Sequence, residues 1–336
     1  MRNISRFIVI QILFLVIFNS SLYSEDFKGE RDWLLQTASA RSAAMGGADI
    51  AHARDPSIVF SNPGGIVFLD NNFSLSGSYY PARYTSNKAT SLFSLYLKSK
   101  TNNKVSFNYQ RYNETDAKKY YGYGITMSRK ISNIGIGINI KMFKFHDLPS
   151  DDIVKTNINQ ANAKETYTFD LGALYYKDFR YKDLPVIENF AAGISISNIF
   201  GRIKVSDNVK IKLPSFLRAG YSFSVKSSKH KKGLSLISFT HSFEYAKTIN
   251  TSYYSSTGAG IELALYEIIY GRIGYYRRNS IIKGSTSGIG LSLPFNRFFK
   301  KFPLILKYDY GRFPYEYSPS EYLNAHSMTV SYRLHE

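Results

Sequence analysis

The feature that most constrains this chain is a period-two alternation of apolar and polar residues that runs from residue 73 almost to the end. Clear examples are IGIGINIKM (134–142) and MTVSYRL (328–334). Such alternation is typical of β-strands with one apolar and one polar face. The pattern predicts fourteen strands, near 73–84, 89–99, 104–112, 119–131, 134–144, 166–179, 188–198, 214–225, 234–246, 256–266, 268–278, 284–294, 302–312 and 324–334.

The length and spacing of these segments indicate a membrane. Most are longer than the usual globular strand of about 5–6 residues, and they suit a tilted membrane-crossing strand of about 9–11 residues. Their connections are mostly long at one end (113–118, 145–165) and mostly short at the other (132–133, 267). Long loops at one end and tight turns at the other are typical of outer-membrane barrels. We therefore predict an all-β fold, a transmembrane antiparallel β-barrel of about fourteen strands.

A soluble β-sandwich or a lipocalin-like barrel is the competing interpretation, because such folds also alternate but point their apolar face into a packed core. Here the polar face is rich in glycine, which weakens strands and often marks the close approach of another group. Tyrosine pairs lie near the predicted strand ends, where a membrane barrel has its aromatic girdles. These pairs are Tyr79-Tyr80, Tyr120-Tyr121, Tyr175-Tyr176 and Tyr275-Tyr276. Together the two observations favour the membrane barrel.

The N-terminus predicts the compartment. Arg2 and Arg6 precede the apolar run FIVIQILFLVIF (7–18), which together are typical of a secretory signal peptide. We assign residues 1–24 to it and predict the outer membrane of a diderm bacterium. Export argues against nucleic acid as the partner of a chain with net charge +18 and favours outer-membrane lipid.

Residues 25–72 have no strand period, and the barrel is predicted to occupy residues 73–336. Their central stretch, RSAAMGGADIAHARDPSIVFSNPGGI (41–66), is rich in small residues. A barrel of more than eight strands leaves a lumen, and small residues permit close packing against its wall. We therefore predict that residues 25–72 form a small N-terminal plug, or hatch, inside the lumen.

Two motifs carry a resemblance to a known family. SARSAAMGGA (39–48) and DPSIVFSNPGGI (55–66) resemble the hatch of FadL-type outer-membrane barrels, with the PorV/PorQ-like subgroup as the nearest group. Gly64 stands where these families usually have alanine after Asn-Pro. The resemblance implies hatch roles for Arg41, Met45, Gly46, Gly47, Asp55, Asn62, Pro63, Gly64 and Gly65.

The resemblance leaves two functions open. FadL-type relatives imply the passage of small hydrophobic compounds through a hatch-gated lumen. PorV-type relatives imply a non-transporting scaffold or shuttle that serves protein secretion. The partner is accordingly a small hydrophobic ligand or a set of secreted proteins, and the sequence does not define the oligomeric state.

The sequence predicts neither catalysis nor a metal site. Its six histidines have no ligand spacing, no Gly-x-Ser-x-Gly motif occurs, and we expect neither an enzyme nor a cofactor. Charged residues on the polar face are predicted to point into the lumen. One interpretation, which we favour, is a salt-bridge network between wall and plug; in the other, Arg218 or Arg272 binds a ligand carboxylate. The charged candidates are Asp170, Arg218, Glu262, Arg272, Lys307 and Asp309.

Overall fold

The fold was taken from a computed structural model, which describes residues 37–53, 55–81, 89–98, 102–113, 119–146, 164–180, 186–204, 210–227, 235–250, 255–279, 282–299, 302–315 and 318–333. The predicted signal peptide and the first part of the predicted plug lie outside these residues, and so does Arg54. No helix in the described ranges has both the length and the apolar content needed to cross a membrane.

Fourteen antiparallel strands form one closed barrel in which each strand pairs with the next along the chain, and β1 pairs with β16 to close it. The barrel strands are β1 Phe73–Tyr80, β2 Ala89–Lys98, β3 Asn103–Asn113, β4 Lys119–Ile131, β5 Ile134–His146, β6 Lys164–Arg180, β7 Val186–Ile199, β10 Phe216–Ser227, β11 Ile237–Thr248, β12 Ser255–Leu265, β13 Ile269–Arg278, β14 Ile282–Leu293, β15 Leu304–Tyr315 and β16 Ser318–Tyr332. The predicted fold is confirmed, and every predicted segment contains most of a strand.

Two further strands, β8 (Arg202–Lys204) and β9 (Lys210–Lys212), form a separate hairpin between β7 and β10. The sequence predicts a loop for this region. Strands of three residues are too short to give a readable alternation, so the hairpin could not be predicted from the period.

The apolar face of the wall points outward. On β5, Ile136, Ile138 and Ile140 are exposed, whereas Gly135 and Asn139 are buried on the lumen side. The same polarity recurs around the barrel, with leucine, isoleucine, phenylalanine and methionine exposed and serine, threonine and glycine facing inward. A packed soluble barrel has the opposite polarity.

The β1–β16 seam joins strands that are far apart in the sequence. On its lumen side, hydroxyl groups pair across the two strands: Ser74 with Ser331 at 2.9 Å, Ser76 with Thr329 at 3.1 Å, and Ser78 with Ser327 at 2.9 Å. These short polar side chains close the seam and leave lumen space free.

Residues 37–53 and 55–69 lie inside this wall, and residues 70–72 lead into β1; together they are called the plug segment below. It contains a short helix, Ala40–Ala44, and two 3-10 helices, Pro56–Phe60 and Pro63–Phe68. Ser39, Asp55 and Asn62 cap them, each accepting a hydrogen bond from a backbone N–H two or three residues later. A proline at the first turn starts each 3-10 helix, so the segment folds as short, tightly turning pieces rather than one long helix.

Short turns such as 132–133 lie at one end of the barrel, called the short-turn end. Longer connections such as that between β5 and β6 lie at the other end, called the long-loop end. The plug segment lies between these two ends.

Candidate functional site: the plug segment and the lumen around it

Glycines of the wall are the places where the plug backbone approaches most closely. A Cβ placed on Gly260 would lie 2.6 Å from the Cα and O atoms of Met45, and one on Gly137 would lie 2.5 Å from the carbonyl of Pro63. Gly46, at the closest approach to β12 and β13, has φ +71°, a conformation that favours glycine. The wall glycines at which an added Cβ would meet a backbone or side-chain atom of the plug are Gly135, Gly137, Gly172, Gly193, Gly220, Gly258, Gly260, Gly274, Gly288 and Gly311.

Some lumen-facing glycines of the wall lie next to wall side chains rather than next to the plug. A Cβ on Gly122 would meet Gln110 and Phe143, and one on Gly124 would meet Asn108, all of which are wall residues. Gly290 likewise faces the side chains of Arg272 and Asp309. These glycines leave room for neighbouring side chains of the wall.

The turn around Asn62 attaches the plug to β4, β5 and β6. The Asn62 Nδ2 donates to the carbonyl oxygens of Ile50 at 3.1 Å and Ala173 at 3.0 Å, and its Oδ1 accepts from the Gly64 N–H at 3.0 Å. Ser128 donates to the Pro63 carbonyl oxygen. Asn62 is fully buried, so an amide side chain satisfies three backbone groups there.

Three predicted glycines of the plug, Gly47, Gly64 and Gly65, lie in close contact with their surroundings. Gly64 lies against the backbone of β5 and β6, and Gly65 lies against the side chain of Ile58. Gly47 has φ +78° and lies near Thr37, Tyr276 and Phe313.

One ion cluster, called the Glu262 cluster, joins the plug to β12, β13 and β15. Arg41 makes two contacts with Glu262, Nε to Oε2 and Nη2 to Oε1, both at 2.8 Å. Arg272 Nε lies 2.6 Å from Glu262 Oε2, and its Nη1 lies 2.8 Å from Asp309 Oδ1. Lys307 Nζ lies 3.1 Å from Asp309 Oδ2. The structure thus brings four of the six predicted lumen charges together with Arg41.

A second set, the Glu244 cluster, holds the next part of the plug. Glu244 Oε2 accepts from the backbone N–H groups of Asp49 and Ile50, both at 2.9 Å. Arg218 Nη1 lies 3.3 Å from Asp49 Oδ1 and 3.4 Å from Glu244 Oε1. Arg218 is one of the predicted lumen charges. Its acidic partners Asp49 and Glu244 were not predicted, although Glu244 lies on the lumen side of β11.

Asp170 belongs to neither cluster. It pairs with Lys141 at 2.8 Å and accepts from the backbone N–H of Asn198 at 2.8 Å and from Asn139 Nδ2 at 3.0 Å. All of these partners are wall residues. Asp170 therefore holds β5, β6 and the end of β7 together rather than contacting the plug.

The plug residues His52 and Asp55 have lowered pKa values. Burial, followed by the nearby Arg41 charge, lowers the pKa of His52 to about 3, so its imidazole is neutral. Its Nε2 lies 3.3 Å from Ser242 Oγ. Burial alone would raise the pKa of Asp55, but Lys307, Arg41 and two hydrogen bonds from Ser57 outweigh it and lower the pKa. Asp55 is therefore ionised.

The lumen differs on the two sides of the plug. Towards the long-loop end, lumen-facing aromatic rings pack together: Tyr112 and Tyr120 stack at 5.7 Å between centroids, Tyr120 lies 5.5 Å from Phe145, and Phe145 lies 6.3 Å from Phe143. These four residues are called the aromatic cluster. Tyr276 and Phe313 make a further contact at 4.5 Å.

Towards the short-turn end lies a cavity of about 280 Å³ between plug and wall. Arg41 and His52 of the plug line it together with Lys307, Tyr270 and Thr240 of the wall. Its apolar lining consists of three alanines, Pro294, Ile305 and the rings of Tyr176 and Tyr270. In the described ranges no three His, Asp or Glu side chains are placed to hold a metal ion.

Comparisons with known proteins give only fold-level similarity. No family profile and no curated protein matches the sequence. Solved structures similar to this chain include the CymD monoaromatic hydrocarbon channel (8% identity, TM-score 0.49, covering 89% of this chain and 98% of that one). The Pseudomonas putida toluene transporter TodX has 11% identity and a TM-score of 0.46, covering 90% of this chain and 99% of that one. A Pseudomonas aeruginosa FadL homologue has 11% identity and a TM-score of 0.46, covering 89% and 99%.

At these identities and TM-scores the similarity carries no argument about what this chain binds. The predicted PorV/PorQ-like subgroup gains no support from the comparisons. The fold assignment depends on the strand pairing described above.

Proposed function

We propose that this protein is a FadL-like outer-membrane barrel that passes small hydrophobic compounds through a lumen closed by the plug segment. The outward apolar face supports the membrane location, because exposed side chains such as Ile273 (63%) and Ile289 (64%) would be costly to leave in water. The long-loop end would face the exterior, as in other outer-membrane barrels.

The observation that carries the ligand class is the aromatic cluster. Its rings face the lumen on the long-loop side of the plug and are buried against their neighbours, so a compound entering from outside would bind there by inserting among them. Aromatic rings offer a large apolar surface and favour stacked or tilted ring contacts. Small apolar or aromatic compounds are therefore the class that this part of the lumen suits.

The cavity on the short-turn side of the plug bears on the direction in which a compound would be released. The cavity there has a mixed lining, in which charged and hydroxyl side chains lie beside Tyr176, Tyr270 and small apolar residues. A hydrophobic compound would find charged groups next to apolar ones in that cavity, so it would be held there less firmly than by a wholly apolar pocket once the plug has moved. The two ion clusters and the Asn62 turn would set the free energy needed to move the plug.

Deletion of residues 37–66 tests the plug. The wall should still fold, because strand pairing supplies the backbone hydrogen bonds that a membrane demands. In a planar bilayer the deleted barrel should show a large, steady conductance that the intact protein lacks. A deleted barrel that folds and stays closed would mean that this segment does not block the lumen.

A second experiment tests the ligand class. Tyr120→Ser should slow the uptake of a hydrophobic fluorescent probe into vesicles that contain the protein. Tyr123→Ser is the matched control, since Tyr123 lies on the same strand but is exposed on the outer face (45%). Equal uptake by the two variants would exclude the aromatic cluster as a binding surface.

A further inference from the structure

Among the side chains that the structure describes, the outer face of the wall carries an excess of cations at the long-loop end. Outward-facing basic side chains lie near the ends of seven described strands there. Among the described side chains at this level, the acidic residue is Glu165, and it forms an ion pair with Lys144 at 3.6 Å. The cations are Arg111, Lys119, Lys144, Lys247, Arg277, Lys283 and Arg312.

Arg277 and Lys283 form the clearest part of this excess. They lie directly opposite each other in the register of β13 and β14, and both are exposed. Like charges in directly opposite positions destabilise a strand pair. Among the described residues no carboxylate lies within ion-pair distance of either; Arg277 Nε donates only to the Asn279 carbonyl oxygen at 3.2 Å.

A third outward-facing cation lies on the next strand. Arg312 on β15 is exposed, lies 3.9 Å above the Tyr322 ring and is opposite Ser287 of β14 in the register. The repulsion between Arg277 and Lys283 is costly unless an anion lies between them.

The position of the cations relative to the apolar face identifies the anion. On β13, Ile273 and Tyr275 precede Arg277 on the outer face and are 63% and 49% exposed. An exposed tyrosine directly beyond an apolar band marks the membrane interface. Arg277 and its register partner Lys283 therefore lie at the level of lipid headgroups, where arginine binds phosphate through bidentate contacts.

We propose that Arg277 and Lys283 bind the phosphate groups of an anionic lipid in the leaflet at the long-loop end. This inference depends on the membrane placement proposed above, and not on the transported compound. The lipid phosphates would lie between the opposed cations and remove the repulsion that the bare wall contains.

Titration of the detergent-purified protein with diphosphoryl lipid A, followed by native mass spectrometry of the lipid-bound barrel, tests the site. The double variant Arg277→Gln/Lys283→Gln should bind the lipid about thirtyfold more weakly, about fivefold for each charge removed. Arg129→Gln/Lys177→Gln is the matched control, because these two cations are exposed at the short-turn end. The control variant should bind as the native protein does.

A charge-reversal variant keeps the test independent of folding. Arg277→Glu creates an attractive pair with Lys283, so the barrel in lipid-free detergent should be at least as resistant to heat as the native protein. Its lipid A affinity should nevertheless fall. Dephosphorylated lipid A should bind weakly to all variants.

Several results would overturn the proposal: equal affinities of the double variant and its control, equal binding of phosphorylated and dephosphorylated lipid A, or retention of inorganic phosphate by the site without retention of lipid A. Probe uptake measured on the same samples separates the two proposals. Normal uptake with no charge-dependent lipid binding excludes the lipid site alone, whereas failure to insert into membranes excludes both.

Discussion

Gly260→Ala is the most direct perturbation of plug seating. The new Cβ would lie 2.6 Å from the Met45 Cα and O atoms, whereas ordinary contact begins at 3.4 Å, so the plug backbone must retreat by about 0.8 Å. Backbone atoms cannot rotate away as a side chain could. The neighbouring hydrogen bond from the Gly46 N–H to Thr286 Oγ1, now 3.0 Å, would stretch beyond bonding distance.

The expected cost follows from this geometry. Overpacking of a well-packed site costs about 1–3 kcal/mol, which corresponds to a roughly fivefold to 150-fold fall in the ratio of closed to open plug. The wall itself should be intact, because alanine does not change the strand pairing of β12. The effect should therefore appear as more frequent openings in planar-bilayer recordings, with unchanged β-sheet circular dichroism.

Gly271→Ala is the control, because Gly271 lies on β13 facing outward with nothing within 4 Å of an added Cβ. It should behave as the native protein does, apart from small effects on strand propensity. Indistinguishable recordings from the two variants would refute the argument that wall glycines are docking positions for the plug.

Two further predictions concern buried charge. Arg272→Ala should lower the stability of the wall by about 3–5 kcal/mol, because it leaves Glu262 and Asp309 with one fewer cation in a buried site. Guanidinium unfolding of the detergent-solubilised barrel measures this loss of stability. An unchanged unfolding midpoint would favour a ligand-binding role for Arg272. Acid should loosen the plug, because the pKa of His52 is lowered to about 3 in the closed state and returns to near 6.5 when the residue is exposed. The open state therefore binds more protons between these values, and seating should weaken as pH falls from about 6.5, by up to about 1.4 kcal/mol per pH unit. His52→Gln should flatten the dependence of conductance on pH over this window, and an unchanged slope would assign the acid response to other groups.

The wall could be predicted from the sequence because its strands and their pairing depend on residues that are close together in the chain. Alternation of period two fixes which face of each strand is apolar, and consecutive strands pair with each other, so neither step needs long-range information. β8 and β9 were missed because three residues do not establish a period.

The site was only partly predictable, since its contacts join distant parts of the chain. The glycine-rich polar face predicted close approach of another group, but not which glycine receives which plug atom. Asp49 and Glu244 were missed because their contact spans 195 residues and neither belongs to a recognisable motif. Asp170 was grouped with the other lumen charges, yet its partner Lys141 lies on the adjacent strand, and both are residues of the wall. Charge and facing direction alone do not reveal partners.

The seam between β1 and β16 constrains the order of assembly. Every other neighbouring pair of strands in the barrel can form soon after the chain emerges, but this pair must wait for residues near Tyr332. The plug contacts both edges of the seam: Ser78 donates to the Ala38 carbonyl oxygen at 3.1 Å, and the Ala40 N–H donates to Ser327 Oγ at 2.7 Å. A plug already bound to β1 would stay attached to the open sheet during assembly. It would then present to β16 the groups that β16 contacts in the closed barrel. The barrel would then close around the plug segment, which would serve as a template for the pairing of β16 with β1.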